Sequence, residues 1–288
     1  MKKKRITVFL WVLAFILMLA LAVYQRLSGP TYPITGKEWI KGKEIVYKLL
    51  RSYTAFQPLP VQIKVSDEVS DEVKAWLSFK RYHTSDEWTE MEMKRQGDFL
   101  VGEMPGQPAA GKVEFSIRVQ VDNENVLLNK GRSIVVRFKG EVPTWILIIH
   151  IMFMFLSIFF ALISGIEALR NNGNHTRLVA WTLGFTFIGG LVLGPIVQKY
   201  AFGSWWTGFP FGNDLTDNKT LLVFVFWLLA LFMAKKSKWW VVAAAVLMIS
   251  VYLIPHSVLG SELDYQSGKI TSKYLNPGNM VSGVRSQE

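Results

Sequence analysis

Residues 145–169 read WILIIHIMFMFLSIFFALISGIEAL, an almost unbroken apolar run. At about 1.5 Å per residue, such a run crosses the roughly 30 Å hydrocarbon layer of a bilayer. Three more runs follow it, Leu178–Val197, Thr220–Ala234 and Trp239–Pro255, and one precedes it, Ile6–Tyr24, directly after the basic cap MKKKR. The total is five spans. The run from Thr220 is short for a span, so its helix is expected either to begin nearer Leu215, with Asp217 and Lys219 at its mouth, or to tilt little in a locally thinned bilayer. Composition agrees. Of 288 residues, 50% are hydrophobic and only 19% charged, and mean hydropathy is +0.24. That excludes a disordered chain and an ordinary cytosolic enzyme.

The net charge of +10 does not signal nucleic acid, because many of the basic residues flank apolar runs, where they anchor spans. Arg170, His175 and Arg177 lie between spans two and three, and Lys235, Lys236 and Lys238 between spans four and five. With the N-terminal lysines they fall on one side, which the positive-inside rule makes cytoplasmic. Trp145, Trp205, Trp206, Trp239 and Trp240 sit at span ends, as an aromatic belt requires. No clear small-x-small cleavage site follows Tyr24, so the first span reads as an uncleaved anchor rather than a signal peptide. The expected home is the inner (cytoplasmic) membrane of a bacterium, with the N-terminus inside.

Between spans one and two the composition changes. Val61, Ile63 and Val65 alternate with polar neighbours, as do Val73, Ala75, Leu77 and Phe79. Val113, Phe115, Ile117, Val119 and Val121 alternate with Lys112, Glu114, Ser116, Arg118 and Gln120 without a break. Such strands each have one dry face, and turn signals at 96–98, 105–108 and 129–131 punctuate them at the spacing of a β-sandwich. The expected organisation is a membrane anchor (1–28), an extracytoplasmic all-β sandwich (29–140), a four-span helical membrane domain (141–257) and an extracytoplasmic tail (258–288).

The segments AWLSFKRY (75–82), EWTEMEM (87–93) and GDFLVGEMPGQPAAGKVEFSIRV (97–119) resemble immunoglobulin-like or fibronectin type III-like extracellular modules. The chain as a whole resembles bacterial inner-membrane proteins that carry such a module. The resemblance implies a fold that hosts adhesion, assembly and binding alike, and not one function.

The four histidines are the most informative polar residues. His150 lies about one and a half turns inside the second span and His256 closes the fifth, both toward the outer leaflet. Two helices of a bundle could bring both imidazoles to one haem b, as bis-histidine ligation requires. Equally, His150 could hydrogen-bond a neighbouring helix and His256 cap a helix C-terminus. Gly184, Gly189, Gly190 and Gly194 offer either clearance for a porphyrin or close helix packing. His83, beside Tyr82, reads as a surface or edge residue, and His175 as a topology residue.

The outer loop 203–219, GSWWTGFPFGNDLTDNK, is dense in aromatics and glycines. Gly203, Trp205, Trp206, Asp217, Lys219 and Thr220 are similar to the tryptophan-rich, Asp-containing outer loop of haem-handling proteins of cytochrome c assembly, here interrupted by Gly208–Thr216. That resemblance implies His150 and His256 as flanking haem ligands, with Trp205, Trp206 and Asp217 lining the cofactor. Interfacial tryptophans account for the same pattern without a ligand. The stretch from His256 through Gly260, Glu262, Leu263 and Tyr265 is similar to the endings of small bacterial membrane proteins suspected of binding haem b; its alternative is a tail in which Glu262 and Asp264 are solvated.

With no cysteine there can be no disulfide, thiolate metal site or covalently attached c-type haem. No HExxH, Gly-x-Ser-x-Gly, Walker loop or strand-linked GxGxxG occurs. The sequence therefore favours an integral membrane assembly or interaction subunit without catalytic activity of its own, and no metal site is assigned. Its sandwich would dock membrane or periplasmic protein partners, with no nucleic-acid partner. The alternative is a b-type haem electron-transfer or haem-handling protein built on His150 and His256.

Overall fold

The computed structural model describes residues 2–65, 73–170, 175–258 and 260–271, so most of the expected tail lies outside the described residues. The chain divides into a helical unit (1–30 and 142–261) and a β unit, Thr31–Glu141 with Glu262–Ile270.

In the β unit, eleven strands of the inserted segment form two sheets. One has the order β1 (Ile34–Ile40), β2 (Lys43–Leu49), β4 (Leu59–Val65), β8 (Phe99–Met104), β7 (Lys94–Gln96). The other runs β3 (Ser52–Thr54), β11 (Ile134–Lys139), β9 (Lys112–Val121), β5 (Val73–Arg81), β6 (Thr89–Glu92), with β10 (Glu124–Leu127) also on β9. Alternation in the sequence becomes alternation in burial: Leu59, Val61, Ile63 and Val65 point inward, and Pro60, Gln62 and Lys64 outward. The same holds along β9, whose whole length pairs antiparallel with β5, from Val73↔Val121 to Arg81↔Val113. The inward faces meet in one core that includes Ile45, Ile63, Leu77, Phe115, Ile117 and Phe138. Fully burying each of these side chains stabilises the fold by about 1.5–3 kcal/mol relative to exposure.

The chain changes sheets early. β2 pairs antiparallel with β4, and after Arg51 the strand β3 joins the other sheet, parallel to β11. Gly97, at φ +58, supplies the left-handed turn between β7 and β8 that only glycine adopts without strain.

Glu262–Ile270, expected as part of a separate tail, belongs with the β unit. The two-residue strand β12 (Glu262–Leu263) pairs with β13 (Ile270–Thr271), and the Leu263 amide donates to the Ala110 carbonyl (3.0 Å). A buried glutamate needs partners, and the β unit supplies them.

The helical unit comprises α1 (Lys2–Ser28), α2 (Thr144–Leu169), α3 (His175–Thr186), α4 (Gly194–Phe202), α5 (Leu215–Met233) and α6 (Trp239–Leu253). A π-helical segment, Phe187–Leu193, joins α3 to α4 and makes one rod, His175–Phe202. Pro195 explains it: the ring has no N–H to donate and collides with the carbonyl four residues back, so the ladder widens to Gly194 N–H onto the Gly189 carbonyl. Among the described residues four helices are long and apolar enough to cross a membrane, Lys4–Ser28, Thr144–Leu169, His175–Phe202 and Leu215–Met233; Trp239–Leu253 is apolar but shorter. The fourth run does begin at Leu215, and the fifth, at 15 residues, is the short one.

Small and polar residues knit the helices. A Cβ on Gly165 would sit 2.9 Å from that of Ala245. The buried Trp227 donates Nε1–H to Met248 Sδ (3.2 Å). His150, Ser157 and Ser164, spaced by seven, lie along one stripe of α2: Ser157 Oγ meets Thr186 Oγ1 at 2.5 Å and Ser164 Oγ meets Thr182 Oγ1 at 3.3 Å. These hydroxyls also bond carbonyls one turn back, Ser164 to Phe160, Thr182 to Leu178 and Thr186 to Thr182. Each of these four hydroxyls thus has a partner in an apolar setting.

Candidate functional site

The loop between α4 and α5 is held from beneath by a buried polar brace. The chain leaves α4 at Gly203, whose φ of +84 turns it out of the helix, and Lys199 Nζ caps the Gly203 carbonyl at 2.7 Å. Asp214 starts α5 as an N-cap. Its Oδ1 accepts the amides of Thr216 (2.8 Å) and Asp217 (3.3 Å), groups that have no partner within the helix. Its Oδ2 accepts the Ser261 amide (2.7 Å) and hydroxyl (2.8 Å).

Asp217, one turn on, takes the Thr207 amide (2.7 Å) and hydroxyl (3.2 Å) on Oδ2, and Gln198 Nε2 donates to Thr207 Oγ1 (2.6 Å). Asn218 Oδ1 accepts the Phe209 amide at 2.6 Å. Gly208 is required here, because a Cβ would stand 2.5 Å from the Cβ of Asp217. Above this brace the loop presents aromatics: Trp205, Phe209 and Phe211 are exposed, Phe211 at 83%. The Trp206 indole N–H folds back onto the Phe209 carbonyl (3.0 Å). Of the residues expected to line a cofactor, Asp217 is therefore occupied as a loop brace, Trp206 closes a turn, and Trp205 faces outward beside the Lys199 ammonium (6.0 Å).

His150 points into the bundle, with Nδ1 2.9 Å from the Gly189 carbonyl. The carbonyl can only accept, so Nδ1 carries the proton and Nε2 keeps its lone pair. The glycines divide. Gly189 and Gly190 are close-packing positions, where a Cβ would meet Met154 Sδ at 2.9 Å and Thr220 Cγ2 at 2.5 Å; Gly184 has open space, and a Cβ on Gly194 would lie 3.9 Å from His150 Cε1. His256 is exposed and tied to a different element: its amide donates to Gln25 Oε1 of α1 (2.8 Å). Gln25 Nε2 also caps the Tyr252 and Ile254 carbonyls at the end of α6, and Lys219 Nζ reaches the same Ile254 carbonyl at 3.0 Å. A cation at a helix C-terminus is favourable, and Lys219 has that role. No group of three His, Cys, Asp or Glu side chains placed to hold a metal ion occurs among the described residues.

The β unit holds a second polar cluster. Glu262 is buried, with Oε1 2.8 Å from His83 Nδ1 and Oε2 2.8 Å from Lys112 Nζ. Burial raises the Glu262 pKa, but the hydrogen bonds from Lys112 and His83 outweigh it and hold the carboxyl below its ordinary value. Tyr265 donates to the Lys112 carbonyl (3.1 Å), and burial pushes its phenol up to about 12. Arg81 lies over the Tyr265 ring at 4.9 Å while bonding both oxygens of Asp86 (2.6 and 2.9 Å). His83 is at the surface, as expected, but bonded to Glu262, and Glu262 is not solvated.

Sequence reasoning missed Asp214, Thr207 and Ser261 as brace members. An Asp directly before an apolar helix is a legible N-cap; nothing local in the sequence marks Ser261.

The β unit also carries an open face. On the outside of the β1-β2-β4-β8-β7 sheet, the row Lys37, Val46, Lys64, Phe99 runs across strands, flanked by exposed Trp39 and Lys48. A concavity of about 770 Å³ opens there, lined by Thr35, Lys37, Val46, Lys48, Gln62 and Phe99 among others. On the outer face of the other sheet Arg118 stacks on Trp76 (4.2 Å) and pairs with Glu90 (2.9 Å), and Leu127 beside it stays exposed. Compared with known proteins, the chain matches no protein-family model and no curated protein sequence.

Proposed function

We propose that the protein is an integral membrane subunit of five spans whose immunoglobulin-like sandwich, outside the cytoplasm, docks a protein partner. The observation that carries the docking is the row Lys37, Val46, Lys64 and Phe99 over a concavity of about 770 Å³, with Trp39 exposed beside it. Exposed apolar groups ringed by polar ones mark interaction surfaces. The immunoglobulin-like reading is supported by strand order. β2-β4-β8-β7 and β5-β9-β11 correspond to the A-B-E-D and C-F-G sheets of such domains.

Membrane placement is supported by helices whose exteriors are apolar, with Phe9, Phe232 and Val246 exposed, and whose contacts are small, with Ala161, Ala230 and Ala244 buried. Photo-crosslinkers at Val46 and Phe99 test the docking in cells. Discrete adducts are expected there and not at Ser116 on the other sheet; equal labelling of both faces would refute it.

A second reading, b-type haem, is favoured by one observation. A histidine whose Nδ1–H is held by a backbone carbonyl presents Nε2 as a ligand. It requires a Soret band in the purified protein that His150→Ala and His256→Ala each abolish. A chromophore-free protein expressed with haem supplied ends it.

A further inference from the structure

Most basic groups of the helical unit gather at one end; Arg26, Lys199 and Lys219 lie at the other. Arg170, closing α2, reaches Thr7 near the start of α1 (3.3 Å), so those two ends are neighbours. Gln25 and Tyr252 join the far ends of α1 and α6, so these two helices run parallel and the start of the shorter α6 faces the N-terminal half of α1. Lys4, Arg5, Arg170, Arg177, Lys235, Lys236 and Lys238 therefore share one end. Residues 1–30 and 142–261 contain only three carboxylates, Glu167, Asp214 and Asp217. Two of these open α5, at the opposite end, and Glu167 is buried and bonded to Arg170 at 2.8 Å. Among the described residues of the helical unit, no exposed acid lies at this end.

Helix length sharpens the point. α6 has 15 residues, about 22 Å at 1.5 Å per residue, against a hydrocarbon layer of about 30 Å. Its far end is fixed to α1 through Gln25 and to α5 through Lys219. A helix shorter than the hydrocarbon layer keeps its turn, Lys235-Lys236-Ser237-Lys238, from standing clear of the lipid headgroups. Lys235 and Lys236 are exposed there, and Lys238 Nζ lies 5.7 Å over the Trp239 ring, an interfacial aromatic.

We propose that the α5–α6 turn, together with Arg177 on the same end, is a binding site for the phosphodiester headgroup of anionic phospholipids. The proposal rests on the membrane reading above. Each Lys or Arg near an anionic surface adds to the attraction, and a partner carrying one phosphate on a lipid anchor matches the charge of the turn.

Purified full-length protein, reconstituted in nanodiscs of phosphatidylcholine with and without phosphatidylglycerol, tests this by native mass spectrometry of retained lipid. Wild type should retain several-fold more phosphatidylglycerol than phosphatidylcholine. Lys235→Gln with Lys236→Gln should reduce that excess several-fold, Lys236→Gln alone by less, and Arg26→Gln, at the other end, not at all. Millimolar inorganic phosphate should displace none of it. Equal retention by wild type and the double variant, or displacement by phosphate alone, overturns the site while leaving a disc-embedded protein embedded. Failure to enter the disc sinks the membrane reading and this proposal together.

Discussion

Glu262→Ala should release the segment 262–270 from the β unit. The carboxylate is buried and holds two partners, so its removal takes the ion-pair partner from Lys112, whose side chain is only 13% exposed. Breaking a buried ion pair from one side costs about 3–5 kcal/mol. Lys112 keeps some access to water and the Tyr82 ring at 5.7 Å, which places this case near the lower end, about 3 kcal/mol, or roughly a hundredfold in a local equilibrium. His83 is 36% exposed, so His83→Ala removes a surface-type pair worth about 0.5–1 kcal/mol. Glu262→Gln should fall between, since a neutral amide still has one oxygen to accept a hydrogen bond. The readout is hydrogen exchange at the Leu263 amide, bonded to the Ala110 carbonyl, because local opening is measured there without assuming two-state unfolding of the whole chain.

The pH dependence has a definite sign. The folded pKa of Glu262 is depressed, so its contribution is complete above the unfolded glutamate value of about 4.3 and is lost as pH falls through the lower folded value. Protection of Leu263 should be flat from neutral pH down to about 5 and decline only in more acid solution. An effect of Glu262→Ala below about threefold, against the hundredfold expected, or equal effects of Glu262→Ala and His83→Ala, would refute the reasoning.

Asp217→Ala should free the 203–213 loop at a cost of about 1–3 kcal/mol, since the Thr207 amide loses its acceptor in a buried setting; protease cutting within the loop should rise. Gly208→Ala should produce the same phenotype through the clash with Asp217, whereas Phe211→Ser, at a tip that is 83% exposed, should leave the brace intact. Alkaline phosphatase fused after Lys139 should be active and after Lys236 inactive; activity at Lys236 would overturn the orientation. The fragment 29–140 should show strand in far-UV dichroism, and adding a peptide of residues 261–271 should raise its melting temperature, because Lys112 and His83 otherwise lack the Glu262 carboxylate.

What the sequence made legible follows from period. Strands β4, β5 and β9 alternate strictly because one face of each is dry, and the structure buries every alternate residue of β4 and β9. The span from Trp145 to Leu169 matches α2 almost end to end. What stayed hidden depends on pairs far apart in the chain. Glu262 meets Lys112 across 150 positions and Ser261 meets Asp214 across 47, and no local pattern encodes such partners. The π segment shows the intermediate case: Pro195 inside an apolar run announces a break in the helical ladder, but only the fold reveals that the altered register presents the Gly189 carbonyl to His150.

That carbonyl answers the central ambiguity of His150 in physical terms. A part-buried imidazole needs at least one partner, and the Gly189 carbonyl supplies one. The hydrogen bond thus accounts for a histidine in an apolar helix by itself. It also fixes the tautomer that a metal ligand would need. The two readings therefore diverge at Nε2 and not at Nδ1. His150→Gln, with an amide positioned to donate to the same carbonyl, should preserve helix packing and stability if the Gly189 bond is the whole role. Loss of a haem spectrum in that variant, with thermal stability unchanged, would locate the function at Nε2.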